Sequence, residues 1–156
     1  MQLSPEKRSK IMTSIRSRGN ASTELRFVEI LRRTHITGWR RHQELPGHPD
    51  FAFRDPRVAV FIDGCFWHCC PHCSKPPKQN KSYWEPKLRR NRERDKAVSM
   101  QLRKSGWTVL RIWEHELAHS LRVSRRLERA LTGKGRRSTP PNVITSEQCA
   151  GRIASD

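Results

Sequence analysis

The sequence is short of negative charge: 15 Asp and Glu stand against 32 Lys and Arg in 156 residues, a formal net charge of +17. A chain so basic binds polyanions, nucleic acid first among them. It also lacks any apolar stretch long enough to cross a bilayer, so no membrane partner is expected. The opening Met1-Gln2-Leu3-Ser4-Pro5-Glu6-Lys7-Arg8 has no apolar core of a signal peptide, and a reducing cytoplasm is the expected compartment. No internal repeat or linker divides the chain, which at this length argues for one domain. The absence of a long apolar heptad stripe favours a monomer.

Cysteine is scarce, yet four of the five cysteines fall within nine residues: Cys65, Cys69, Cys70 and Cys73, interleaved with His68 and His72 after the apolar run Val58 to Ile62. Adjacent Cys69 and Cys70 cannot both bridge in so short a loop without severe strain, because disulfide geometry restricts the Cα separation. In a reducing compartment such a cluster is usually metal-binding or catalytic, with a group of buried thiols as the alternative. Cys70-Pro71-His72-Cys73 has the two-residue gap that lets two thiolates reach one tetrahedral Zn²⁺, and Cys65 is near enough to supply a third ligand.

Basic residues fill an N-terminal helix (Lys7, Arg8, Lys10, Arg16, Arg18), a later one (Lys87, Arg89, Arg90, Arg92, Arg94, Lys96) and the C-terminal part, as expected of a surface that follows phosphates. Trp39, Trp67, Trp84, Trp107 and Trp113 are too many for a merely charged surface; some belong to the core, and an aromatic beside a basic loop can stack on or wedge between bases.

The pattern of elements is legible. Ser4-Pro5-Glu6 starts a thinly amphipathic helix on Ile11, Met12 and Ile15, so residues 1–20 are expected to be a DNA-contacting arm. A second helix spans about Ser22 to Arg33, built on Leu25, Val28 and Leu31. Strands follow at Gly38 to Gln43, Asp50 to Phe53 and Val58 to Ile62, the last two joined as a hairpin by Asp55-Pro56. Lys75 to Lys81 is a polar loop. Ser82-Tyr83-Trp84-Glu85 has capping-box spacing and opens a helix to about Lys104, stopped by Gly106. Trp107 to Trp113 reads as a strand, and Ser120 to Leu131 as a last helix. The main domain therefore covers 21–131; the tail 132–156, with Cys149, has little to bury and is expected to be disordered. The order specifies an α/β sandwich with a mixed sheet.

Chemistry should sit at strand ends. Asp50, after Pro46-Gly47-His48-Pro49, can hold a hard cation such as Mg²⁺ through oxygen, though Asp beside Pro is equally a turn residue. Glu24 at a helix start favours the helix dipole whether or not it has another duty. His68 is a further zinc ligand, a core histidine or a general base near neutral pH. Leu88, Asn91, Asp95, Val98 and Leu102 share one helix face, so Asp95 points to the core side, where it needs a partner and can orient His68.

Phe61-Ile62-Asp63-Gly64-Cys65-Phe66-Trp67-His68, Leu45-Pro46-Gly47-His48-Pro49-Asp50-Phe51, Asn91-Arg92-Glu93-Arg94-Asp95 and Gly106 to Glu114, in this order, resemble the very short patch repair endonucleases, the Vsr family, from about Arg8 to Leu117. The resemblance implies a three-layer, restriction-endonuclease-like fold with a structural Zn²⁺ and an enzyme that uses Mg²⁺ to nick one strand beside a T:G mismatch. By the same resemblance Asp50 and the Ile62 carbonyl bind Mg²⁺, His68 steadied by Asp95 activates water, and Glu24 supports the metal-water shell. Phe66, Trp67 and Trp84 wedge into the duplex, with Met12 entering from the other groove. Two positions depart from the pattern, Asp63 for a histidine and Ile62 for a threonine, so Asp63 is expected to turn a phosphate contact towards metal binding. The zinc set is Cys65, Cys70, Cys73 and His115, the last in place of a usual cysteine, with His72 as an alternate and Cys69 spare. Double-stranded DNA is the implied partner, in the cytoplasm at the nucleoid, with mismatch-repair proteins and a cytosine DNA methyltransferase as further candidates. The competing readings are a homing-type or phage-type nuclease and a non-catalytic, zinc-stabilised DNA-binding module in which Asp50 and His68 are structural.

Overall fold

The structure, a computed structural model, describes residues 21–73 and 80–133. The expected arm with Met12, residues 75–79 of the polar loop, and the tail from 134 with Cys149 lie outside the described residues. Helix α1 (Ala21–Arg33) leads into strands β1 (Trp39–Arg41), β2 (Phe51–Phe53) and β3 (Val58–Asp63). Helix α2 (Lys81–Lys104), strand β4 (Thr108–Trp113), a 3₁₀ segment (Glu114–Ala118) and helix α3 (Ser120–Leu131) follow.

The sheet is mixed, in the order β1-β2-β3-β4. The β2–β3 hairpin is antiparallel, whereas β4 runs parallel to β3 from Val58↔Thr108 to Asp63↔Trp113. A parallel pair needs a long crossover, and α2 supplies it. Because strand side chains alternate, β3 serves two cores. Val58 and Val60 face Phe51, Phe53 and Ile112 and are covered by Phe27, Ile30 and Leu31 of α1 and by Val123 and Leu127 of α3. Ala59 and Phe61 face the other way, towards Leu102 and Val98 of α2. The result is three layers, with α1 and α3 on one face and α2 on the other.

The loop before β2 lies close on α2. Gly47 has φ +76°, and a Cβ there would stand 2.3 Å from Val98 Cγ1, so only glycine suits both the backbone and the contact. Asp50 is thereby brought up beside β3.

Several boundaries differ from the sequence reading. The first strand is confined to Trp39–Arg41 because Gly38 and His42, with φ of 83° and 52°, turn the backbone at each end. Ser82 is not a cap: α2 already begins at Lys81, after Asn80 in the left-handed region, with no side-chain cap. Leu25 is 60% exposed, whereas Val28 and Leu31 are buried as expected and are joined in the α1 core by Phe27 and Ile30. The 3₁₀ segment was unforeseen; its start is held by the Trp113 N–H donating to Glu116 Oε2 at 2.9 Å. Among the described residues no helix is long and apolar enough to cross a membrane.

Candidate active site and metal centre

At the C-terminal end of β3 the chain leaves the sheet through Gly64 into a loop, 64–73, that carries three kinds of group. The first is the sulfur and imidazole cluster. Cys65, Cys70 and Cys73 place their sulfurs 3.3, 3.5 and 3.5 Å from His115 Nδ1, which the 3₁₀ segment delivers from beyond β4. One nitrogen lone pair cannot accept three S–H donors. A tetrahedral zinc with Zn–S of ~2.3 Å and Zn–N of ~2.0 Å has an S···N edge of about 3.5 Å, which the observed distances match. The four ligand atoms all lie within 4.8 Å of one another and could hold a metal ion. His72 meets His115 edge-on, ring centroids 6.1 Å apart, outside this set, and Cys69, also outside it, is buried.

The second group is aromatic. Phe66, Trp67 and Trp84 meet in a triangle with centroid separations of 5.3, 5.3 and 5.8 Å. All three are half-buried, as are the remaining tryptophans. Tyr83 stacks on Trp84, and the Lys87 ammonium lies 5.4–5.5 Å from the rings of Trp67, Tyr83 and Trp84. Asn91 of α2 donates to the Trp67 carbonyl at 3.3 Å, fixing the loop to the helix.

The third group is titratable. His68 Nδ1 lies 2.5 Å from Asp95 Oδ2 on α2 and 3.8 Å from Asp63 Oδ1 at the end of β3. Asp63, 4% exposed, accepts from Arg111 of β4 through both oxygens, at 2.6 and 2.7 Å. The same guanidinium reaches Asp95 Oδ1 at 3.2 Å. Burial alone would push the Asp95 carboxyl up, but the His68 hydrogen bond and the Arg111 charge more than offset it and hold it below the usual range. Arg111 likewise loses by burial and gains more from Asp63, so it stays a firm cation.

Asp50 accepts the Ile62 N–H at 2.7 Å, and burial, opposed by that bond, pushes its carboxyl up. Glu24 is 3% exposed and has a partner of its own, Arg41, whose guanidinium also lies 5.8 Å from the Phe51 ring. Thus His68, Asp63 and Asp95 come together, Asp50 abuts Ile62 on β3, and Glu24 is tied to β1. Sequence reasoning missed Arg111, although a single charge inside the apolar run Thr108-Val109-Leu110-Arg111-Ile112-Trp113 was the available signal. It also missed Tyr83 and Lys87 at the rings.

A family model described as DNA mismatch endonuclease Vsr matches residues 2–75. The DNA mismatch endonuclease Vsr of Escherichia coli (strain K12) is 34% identical over 135 residues, 82% of this chain and 85% of that protein. The type II nicking enzyme V.XorIIP of Xanthomonas oryzae pv. oryzae is 35% identical over 136 residues, 83% of this chain and 96% of that protein. The type II nicking enzyme V.NaeI of Lentzea aerocolonigenes is 59% identical over 68 residues, 44% of this chain and 41% of that protein. With identity of this level sustained over most of the length of two such relatives, the chain belongs to the Vsr family of DNA mismatch endonucleases.

Proposed function

We propose that the protein is a Mg²⁺-dependent endonuclease of restriction-endonuclease-like fold that nicks the T-bearing strand 5′ of a T:G mismatch, as in very short patch repair of deaminated 5-methylcytosine. One juxtaposition carries the reading: the rings of Phe66 and Trp67 directly precede His68, which is bonded to Asp95. A duplex opened by the rings therefore presents its backbone to the imidazole. Intercalation is least unfavourable where pairing is already poor, which favours a mismatch.

In this mechanism Asp95 accepts a hydrogen bond from the Nδ1–H of His68, which leaves Nε2 unprotonated and free to accept a proton from the attacking water. The rings of Phe66, Trp67 and Trp84 hold the duplex open, with Met12 approaching from the opposite groove. Asp50 and the Ile62 carbonyl are the residues that would hold Mg²⁺, and Glu24 would support the water shell; the bound ion supplies charge stabilisation at the phosphorane and the leaving oxygen. The chemistry fits, since a carboxylate whose burial disfavours its charge is well served by a hard cation that prefers oxygen. Zn²⁺ at Cys65, Cys70, Cys73 and His115 would have a structural part. Double-stranded cytoplasmic DNA is the substrate, with a cytosine DNA methyltransferase and mismatch-repair proteins as functional neighbours.

The test is a set of labelled duplexes, matched, T:G and otherwise mismatched, incubated with Mg²⁺ or EDTA. A Mg²⁺-dependent nick confined to the T-bearing strand and lost in Asp50→Ala is expected. Tight binding with no nick under any metal would replace this reading with a zinc-stabilised binding module.

A further inference from the structure

Two carboxylates compete for one imidazole at the end of β3. Asp95 Oδ2 is 2.5 Å and Asp63 Oδ1 3.8 Å from His68 Nδ1. Resting on the reading of His68 as the base, we propose that Arg111 decides this competition: with Asp63 it forms a positioning pair that reserves Asp95 for His68, and Asp63 is not a metal ligand.

The geometry divides the guanidinium unequally. Nε and Nη2 take both oxygens of Asp63 in a fork, at 2.6 and 2.7 Å, the strongest form of such a pair. Asp95 receives one longer contact, Nη2 to Oδ1 at 3.2 Å, so its other oxygen remains for the imidazole. With one oxygen on Arg111 and the other on His68, the Asp95 carboxylate cannot rotate without losing a bond. Arg111 also reaches the Asp95 carbonyl and Ser99 Oγ at 3.5 and 3.4 Å, and that hydroxyl donates to the same carbonyl at 2.7 Å. The guanidinium in turn sits 4.9 Å from the Phe61 ring, and the Arg111 carbonyl accepts from Arg126 Nη2 at 2.8 Å. Three elements, β3, β4 and α2, are thus locked around one cation.

The arrangement also accounts for the acidic residue at position 63. A carboxylate there without a cation would draw His68 away from Asp95 and add charge beside Asp50. Paired with Arg111, it becomes a fixed, internally neutralised strut.

Arg111→Met, Asp63→Asn, the double variant and Arg111→Lys would be compared by single-turnover nicking of the T:G duplex at saturating enzyme, by duplex binding and by melting. Misplacing a reacting group slightly can cost about a hundredfold in rate, so Arg111→Met should nick about 10- to 100-fold more slowly while its DNA affinity changes by less than about threefold. Adding Asp63→Asn removes the competitor, and the double variant should nick several-fold faster than Arg111→Met alone when both are compared at equal fraction folded, because relief of an unpaired carboxylate restores stability as well. The Nδ1 proton of His68 in its hydrogen bond to Asp95, followed by NMR on the protein without DNA, should lose that bonded signature in Arg111→Met and regain it in the double variant. If Arg111→Met does not fold, Arg111→Lys keeps the charge without the fork and should still slow nicking at unchanged affinity. Wild-type rate in both Arg111 variants, or a double variant no faster than the single, would overturn the proposal. The NMR signature is read without metal or substrate, so a wild-type protein that fails to nick refutes the endonuclease reading while leaving the pair testable.

Discussion

Replacing His115 with alanine should release zinc and loosen the loop that carries Phe66, Trp67 and His68. The imidazole nitrogen is the common neighbour of the three sulfurs, at 3.3, 3.5 and 3.5 Å, so its loss opens one corner of the tetrahedron and leaves three thiolates crowded around an open site. An ion that binds only the folded state, present at about 1,000 times its Kd, stabilises it by about 4 kcal/mol. For a domain of this size each kcal/mol moves the melting temperature by about 2–4 °C, so the variant should melt about 8–16 °C lower in zinc-containing buffer. Zinc per chain, measured by atomic emission after gel filtration, should fall from one equivalent towards zero. His115→Cys should restore it, while His72→Ala and Cys69→Ser should keep it. One full equivalent of zinc in His115→Ala, with wild-type melting, would refute the assignment of this residue and with it the link between the 3₁₀ segment and the loop.

Trp67→Ala should reduce the preference for mismatched over matched duplex, because each base–aromatic stack is worth about 1–3 kcal/mol; competition binding would show a loss of roughly 5- to 150-fold, and unchanged discrimination would remove this ring from the wedge. Asp95 has a folded pKa below its ordinary value, so its stabilisation is present above the unfolded value near ~4 and is lost as pH falls through the folded one. Melting from pH 6 to pH 3 should therefore decline less steeply in Asp95→Asn than in the parent, and equal slopes would contradict the lowered pKa. Asp50 has the opposite sign: its folded pKa is raised, so the ionised group opposes folding once pH exceeds that value. Asp50→Asn should accordingly raise the melting temperature in EDTA at pH 7 and abolish nicking, whereas a lower melting temperature would show the carboxylate to be structural.

The elements defined by long-period apolar patterning were readable in the sequence. The last helix, expected around Ser120 to Leu131, spans that segment, and the β2–β3 hairpin follows from Asp55-Pro56 between two apolar runs. Errors arose where backbone conformation or long-range packing decided. His42 in the left-handed region ends β1, and no propensity for a histidine announces that. Leu25 fits a helical stripe by spacing, yet α3 and the sheet take up Phe27 and Ile30 beside the expected Val28 and Leu31 and leave Leu25 outside. At the site, the clustering of Cys65, Cys70, Cys73 and His68 and the motif around Asp50 were visible because local spacing carries them. Arg111 was not, since its meaning depends on meeting Asp63 across β3 and β4 and Asp95 across the crossover.

The loop 64–73 has little regular backbone bonding to order it: the Cys70 N–H to the Cys65 carbonyl at 2.9 Å, the His68 N–H to the Gly64 carbonyl at 3.2 Å and the Cys69 N–H to the Phe66 carbonyl at 3.4 Å. Its precision must come from its anchors. One is the sulfur cluster closing on His115; the other is α2, through Asn91 on the Trp67 carbonyl and Asp95 on His68. The first anchor is polar, the second adds the Trp84 ring on Phe66 and Trp67 to its polar bonds, and each fixes a different side of a segment only ten residues long. Breaking either should disturb ring and imidazole together, because His68 directly follows Trp67 in the chain. Under the proposed function, recognition of a distorted duplex and alignment of the base form one mechanical unit, and variants at His115 and at Arg111 should each impair nicking from opposite ends of it.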